Sequence, residues 1–258
     1  MIVKKRGVSF NVDDDDEYSC NWFRGRYDGW EEGTFDVLDR FLGENSIYID
    51  VGAWIGPTVL YAAAKCARVY CFEPDPVAYS RLERNIANNP QYSQIEAYNF
   101  GISSAEGLVP FGGNGELGNS ESTLLVSDEA YIQTGGSDSH YMDYDPAWRM
   151  GEVVEARMTT LKSFVECECI DMRKVDLVKV DIEGGEKIVI PSMAELLVRC
   201  ETSLYLSLHW CFVSHRDGEQ LLDTIFDVYS VARKPDMSII TRNEIVETHA
   251  TELVFSHI

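Results

Sequence analysis

The chain has 258 residues, a length at which one α/β domain buries about three quarters of the surface its unfolded chain exposes. Lys and Arg number 22 against 43 Asp and Glu, a net charge of −21, and a field of that sign repels a phosphate backbone and argues against nucleic acid as a partner. The seven cysteines are odd in number and scattered, which fits reduced thiols in a cytosolic protein, and Cys167 and Cys169 alone do not make a metal-ligand pattern.

Residues 1–29 read as an N-terminal extension. Its opening, MIVKKRG, lacks the apolar core of a signal peptide, and no apolar run in the chain has the length of a membrane span, so the expectation is a cytoplasmic protein without a membrane partner. Val8 to Val12 reads as a strand and Asp13 to Glu17 as a solvated acidic loop. From Trp30 the pattern changes. Phe35, Leu38, Phe41 and Leu42 recur at helical spacing, with Thr34 as N-cap and Gly43 as stop. Glu31, Glu32 and Thr34 fall at the start of this helix, where acids suit the dipole and where all three are candidates to lie near a cofactor, with Glu32 and Thr34 assigned to bind it.

Ile47 to Val51 is an apolar run of the kind a strand buried on both faces carries, and it gives out among Asp50 and glycines. Gly52 and Gly56 bracket a turn, Pro57 suits a first helical position, and Thr58 to Ala67 reads as a helix. A second apolar run, Val69 to Phe72, ends on Glu73. Strand, glycine turn, helix, strand and acid is the arrangement by which a doubly wound sheet holds a ribose: the turn admits backbone close to the ligand, and the acid accepts the ribose hydroxyls.

Asp75 caps a helix that Pro76 starts and Asn88, Asn89 and Pro90 stop, with Ala78, Leu82 and Ile86 facing inward. Ile95 to Phe100 is a third strand, and the doubly wound logic puts Gly101, Ile102 and Ser103 near the base of a bound nucleoside. Residues 108–158 form an insertion dense in Gly, Ser, Asn and Asp, with strand-like pieces at Ser122 to Val126 and Val153 to Met158, and are assigned to face the substrate. Thr160 to Val165 is a short helix.

Val175 to Val180 is a fourth buried strand, and it runs into KVDIEGGE. Lys179 and Asp181 share one face by the two-residue period, so an ion pair is expected between them. Asp181 stands where the carboxyl ends of such strands meet ligands, while Glu183 and Glu186 read as acids favouring a helix N-terminus. Ser203 to Leu208 is the fifth strand and ends in His209, a second candidate catalytic group. Asp217 to Val228 is helical. Tyr229 to Ala232 and Thr251 to His257 form an antiparallel pair that completes a seven-stranded sheet.

DVGAWIG from Asp50, CFEPDP from Cys71 and VDLVKVDIEGGE from Val175 resemble the three signatures of the FkbM-type methyltransferases, S-adenosylmethionine-dependent O-methyltransferases, in register from about Trp30 to Leu208. The resemblance implies a Rossmann-like class I methyltransferase fold, with a seven-stranded mostly parallel sheet and helices on both faces, in one domain over residues 1–258. It implies that Asp50, Gly52 and Ala53 meet the methionine part of S-adenosylmethionine, Glu73 the ribose, Pro74 the adenine, Gly101 and Ile102 the base, and Asp181 the sulfonium and the acceptor. Trp54 departs from the small polar residue, often Asn, that usually follows the alanine and helps hold the cofactor. Lys162 stands in TLK where members commonly read TLD, and LSLHW carries Ser207 and His209 where many members carry Glu.

The implied function is methylation of a hydroxyl on a small molecule or sugar, with Asp181 or His209 taking the proton. No metal is assigned, although Asp181 with a nearby carboxylate is where a divalent ion would find partners. Oligomeric state is not legible. An NAD-dependent dehydrogenase would need G-x-G-x-x-G, and Gly52 to Gly56 lacks the middle glycine. A base methyltransferase would carry two prolines and an aromatic after an Asn or Asp at the fourth strand, whereas Ile182, Glu183 and Gly184 follow Asp181. A protein that binds the cofactor or a partner without catalysis stays open.

Overall fold

The computed structural model describes residues 1–113, 115–124 and 151–257. An antiparallel hairpin, β1 (Ile2–Lys5) and β2 (Val8–Asn11), precedes α1 (Glu17–Gly25), and α2 (Glu32–Phe41) leads into β3 (Ile47–Val51). α3 (Pro57–Ala63), β4 (Arg68–Phe72), α4 (Pro76–Ala87) and β5 (Ile95–Tyr98) follow. β6 (Gly101–Ile102), β7 (Gly107–Gly113), β8 (Ser122–Thr123) and β9 (Val153–Thr159) make a separate four-stranded sheet. Then come α5 (Leu161–Cys167), β10 (Leu177–Val180), α6 (Glu186–Leu197), β11 (Ser203–Ser207), α7 (His215–Val228), β12 (Val231–Arg233), α8 (Arg242–Thr248) and β13 (Glu252–Ser256).

The main sheet has the order β12-β13-β11-β10-β3-β4-β5. It is the expected seven-stranded, mostly parallel sheet, with the expected antiparallel pair, β12 and β13, at one edge. β13 is antiparallel to both of its neighbours, so β12 runs with the parallel strands and β13 alone is reversed. The chain winds from β3 toward β5 in one direction and from β10 toward β11 in the other. The switch point, where open α/β sheets leave a crevice at the carboxyl ends, therefore lies between β3 and β10.

Strand alternation divides the core in two. Ile49, Val51, Val178, Val180, Leu204 and Leu206 face one layer, into which α5, α6 and α7 pack Phe164, Met193 and Leu222. Tyr48, Leu177 and Tyr205 face the other, against Phe35 and Leu38 of α2 and Leu60 of α3. Helices thus cover both faces. Among the described residues no helix is long and apolar enough to cross a membrane.

The N-terminal segment departs from its sequence reading. The acidic run is not merely solvated. Asp16 caps α1 by accepting from the Ser19 amide, 3.2 Å, and pairs with Arg81, 3.1 Å, while Asp13 pairs with Arg84, 2.7 Å, so the run ties α1 to α4. Thr34 is not the N-cap of α2. Glu31 occupies that position in a left-handed conformation, φ 40°, and Thr34 is buried in the first turn, where its hydroxyl meets Tyr205 and donates to the Glu31 carboxylate. The helix expected over Thr58 to Ala67 ends earlier, at Ala63. Of the strand expected at Ser122 to Val126, the part up to Leu124 is described and contributes β8; Val126 lies outside the described residues.

Lys5 explains how the hairpin reaches the crevice. It is 3 % exposed, and its ammonium donates to the carbonyls of Tyr27, Asp28 and Trp30 at 3.0, 2.7 and 3.2 Å and pairs with Glu32. One buried cation thereby gathers the turn that presents Trp30 and Glu31. Replacing it (Lys5→Met) removes a charged donor from three carbonyls, and we expect a loss of about 3 kcal/mol in stability, read by denaturant unfolding. An unchanged midpoint would contradict this role.

Candidate functional site

β3 ends at Gly52, φ 93°, where a Cβ would lie 1.9 Å from the Asp181 carbonyl oxygen. Only glycine lets the two strand ends approach so closely. The amides of Gly52 and Ala53 donate to the Phe72 carbonyl at 3.2 and 3.0 Å, which draws the turn across the end of β4. Trp54 follows at φ 48°, a left-handed conformation that costs a residue with a side chain about 1–2 kcal/mol, and its amide donates to Glu73 Oε2, 2.8 Å. The other carboxylate oxygen accepts from the Asp75 amide, 2.8 Å. Burial pushes the Glu73 carboxyl up to about 8, against the lowering effect of those two amides.

Two cavities meet at this turn, and Gly52 lines both. The smaller, about 20 Å³, is an apolar slot between Pro74, Gly101, Ile102, Phe111, Leu124 and Met158. The space beside Gly101 is tight, since a Cβ there would sit 2.5 Å from the Met158 sulfur. The larger, about 410 Å³, opens over the ends of β3, β10 and β11, with Trp22, Trp30 and Trp54 on one side and Glu31, Asp181, Glu183, His209 and Glu252 on the other. Residues 115–124 cross between them. The Gly118 amide donates to Asp75 Oδ2, 2.6 Å, its carbonyl accepts from Trp54 Nε1, 3.1 Å, and the Thr123 hydroxyl donates to the Glu183 carbonyl, 2.7 Å.

The floor of the larger cavity is ionic. Lys179 is 2 % exposed and lies 3.1 Å from Asp181 and 3.3 Å from Asp50, so the expected ion pair is present and has a third member. Burial works against charge on Lys179 and Asp181, yet Lys179 and His209 hold the Asp181 carboxyl below its ordinary range, and the carboxylates raise Lys179. His209 Nδ1 lies 2.7 Å from Glu186 Oε1, and Nε2 lies 3.6 Å from Asp181 and 3.4 Å from Glu183. Burial lowers this imidazole, but Glu186, Glu183 and Asp181 outweigh it and raise it to about 10. Burial also pushes Glu183 up to about 8 and Glu31 to about 7, with Asp181 adding to both.

The structure brings Gly52, Ala53, Trp54, Asp181 and His209 together on the larger cavity and Pro74, Gly101 and Ile102 on the slot. Glu73 sits behind the turn that joins them. Asp50 lies beneath the floor, fully buried, with its second oxygen accepting from Thr58, 2.6 Å. Three residues fall elsewhere. Glu32 points outward to Lys5 and Arg6, Thr34 is sealed against Tyr205, and Ser103 donates its amide to the Thr159 carbonyl outside both linings. Of the two acids, Glu31 is the one that lines the larger cavity, from its own left-handed position at the cap. Glu186 was read as a helix-terminus acid; its carboxylate is fully buried against His209 and the Ile182 amide, 3.2 Å. Trp22, Trp30 and Glu252 carried no signal beyond their residue types, while Glu183, which the sequence offers as a helix-terminus acid, lines the larger cavity. Of the insertion, Ser120 lines the larger cavity and Leu124 the slot; 125–150 lie outside the described residues.

The methyltransferase FkbM domain matches residues 50–227. The methyltransferase sdnD of Sordaria araneosa is 30 % identical over 171 residues, 62 % of this chain and 64 % of that protein. The hexuronic acid methyltransferase AglP of Haloferax volcanii is 26 % identical over 167 residues, 65 % of this chain and 58 % of its own. Each match spans less than two thirds of the relative's length. Among solved structures, the methyltransferase FkbM from Methylobacillus flagellatus KT superposes with a TM-score of 0.46 at 15 % identity, over 82 % of this chain and 43 % of that one.

The close contact at Gly52 yields a direct check. Gly52→Ala forces a Cβ into the Asp181 carbonyl at a positive φ, and we expect a loss of at least about 2 kcal/mol, measured as a lowered unfolding midpoint. Native stability in this variant would contradict the approach of the two strand ends.

Proposed function

The chain belongs to the FkbM methyltransferase family, and on that ground we propose that it transfers a methyl group from S-adenosylmethionine to a hydroxyl of a sugar or other small molecule. One observation carries the reading: the apolar slot and the acidic cavity meet at Gly52, with the Glu73 carboxylate behind the same turn. A nucleoside linked to an amino acid has that shape, with an apolar base at one end and a cationic group at the other.

The fit can be taken residue by residue. Pro74, Gly101 and Ile102 border the slot, which at about 20 Å³ has room for roughly one water and must widen to take a flat base. Glu73 keeps a free lone pair on each oxygen beyond the two amides, enough to accept ribose hydroxyls. Asp181 and Glu31 supply negative charge for an ammonium and a sulfonium. The bound cofactor supplies an electrophilic methyl group on sulfur. The protein's part is to align the acceptor oxygen with it, worth on the order of 7–11 kcal/mol in favourable cases, and to receive the hydroxyl proton, worth about 10²- to 10⁴-fold, at the ionised Asp181; His209, raised to about 10, accepts a proton only once its own has been lost.

The same surfaces bear on the acceptor. Trp22 packs edge to face on Trp30 and Trp54, with centroids 5.2 and 4.7 Å apart, and this aromatic wall suits the apolar face of a sugar ring. Glu31, Asp181, Glu183 and Glu252 disfavour an acidic substrate, so a neutral or amino sugar fits better than the hexuronic acid named for the archaeal relative.

Three measurements test this. Calorimetric titration should give binding of S-adenosylmethionine and none of NAD, and labelled methyl should pass to neutral or amino sugars in a panel; NAD binding alone would overturn the reading. His209→Gln should retain cofactor affinity within a few-fold, Asp181→Asn should weaken it because Asp181 supplies charge to the cofactor's cationic end, and at least one of them should lose about 10²-fold or more in turnover. Full turnover in both would remove their role. Glu73, held up to about 8, is mostly protonated at pH 7, while ribose hydroxyls donate to its ionised form. Glu73 should therefore release close to one proton on binding at pH 7, seen as a dependence of the binding heat on buffer, and that share of the release should be lost in Glu73→Gln and shrink above about pH 9. Buffer-independent heats would contradict the assignment.

A further inference from the structure

We propose that Asp181, Glu183 and His209 bind one divalent first-row transition ion, with its open coordination positions turned into the cavity where the acceptor's oxygens would sit. The function of such a site rests on the methyl-transfer reading, but its geometry stands apart from it. One ligand atom from each of the three side chains lies within 4.8 Å of the others. His209 Nε2 is 3.6 Å from Asp181 Oδ1 and 3.4 Å from Glu183 Oε2, long for hydrogen bonds between charged groups. They are close to the edges of a coordination shell, because metal bonds of about 2.1 Å at octahedral to tetrahedral angles separate ligand atoms by about 3.0–3.4 Å. Each of the three side chains is about one fifth exposed, and all three line the larger cavity.

A second observation comes from behind the ring. His209 Nδ1 is held at 2.7 Å by Glu186 Oε1, and Glu186 is fully buried and fixed by the Ile182 amide. A carboxylate behind an imidazole sets the ring and leaves the other nitrogen facing forward, as in metal-bound histidines. The second Glu186 oxygen is buried and has no hydrogen-bond partner among the described residues, so this acid is kept inside the protein for the one contact it makes with the ring and the amide. Charge points the same way. Asp181 shares Lys179 with Asp50, and among the described residues the ion pair made by Glu183 is to His209. One imidazole with two carboxylates suits Mn²⁺ or Zn²⁺ better than Mg²⁺ or Ca²⁺, which prefer all-oxygen shells.

The test uses the full chain after removal of metals with a chelator. Mn²⁺ alone and Zn²⁺ alone are titrated, with calorimetry for both and electron paramagnetic resonance for Mn²⁺. We expect one ion per chain, a nitrogen coupling to bound Mn²⁺ that disappears in His209→Gln, and at least tenfold weaker binding in both His209→Gln and Glu183→Gln. No binding of either ion to the wild-type chain, or wild-type affinity in both variants, overturns the site. S-adenosylmethionine is titrated separately into the metal-free chain. Loss of cofactor binding with retained ion binding would then count against the methyl-transfer reading and leave the metal site in place.

Discussion

The crevice depends on one buried ammonium. Lys179 lies on β10 directly opposite Asp50 in the register of β3, and its charge is shared between Asp50 and Asp181 at the ends of those two strands. Removing one member of such a group strands the others without compensation, at a cost of about 3–5 kcal/mol. The arrangement therefore fixes more than a local contact. It locks the strand pair that flanks the switch point, keeps Asp50 under the floor, and leaves Asp181 as the carboxylate that faces the cavity. Gly52 completes the constraint by letting the turn after β3 rest against the Asp181 carbonyl.

From this centre the crevice has two unlike halves. Toward β4 and the small sheet it is narrow and apolar, and the Glu73 carboxyl behind it is so enclosed that the neutral acid is favoured. Toward β11 it is wide and acidic, with a single imidazole among three carboxylates. The segment 115–124 bonds to both halves, through Asp75 and Trp54 on one side and the Glu183 carbonyl on the other. The small sheet thus reaches the site by a chain of hydrogen bonds.

Much of this was legible in the sequence because it is local. Gly52, Gly56, Pro57 and the two apolar runs are turn and strand chemistry confined to Ile47 to Glu73, and they put the glycine turn beside the acid as expected. The Lys179 pairing with Asp181 followed from strand period and the need of a buried cation for a partner. What was missed has a tertiary cause. A left-handed Glu31 has no sequence marker, so which of the two neighbouring acids turns inward is not legible. Glu186 looks like any first-turn acid until β11 brings His209 back across 23 positions. The acidic run at Asp13 to Asp16 reads as solvent-exposed until α4 offers Arg81 and Arg84. Trp54, flagged for departing from the family's usual residue, seals the crevice through the Gly118 carbonyl and supplies an amide to Glu73, a second task that a side-chain pattern does not disclose.

The central claim is that one ligand spans both halves, its base in the slot and its sulfur over the acidic floor. A crystal structure with S-adenosylhomocysteine tests this most directly. The account predicts adenine beside Pro74 and Gly101, ribose hydroxyls on the Glu73 carboxylate, and sulfur on the Asp181 and His209 side of Gly52. A ligand bound with its ribose away from Glu73, or with its sulfur outside the larger cavity, would contradict it.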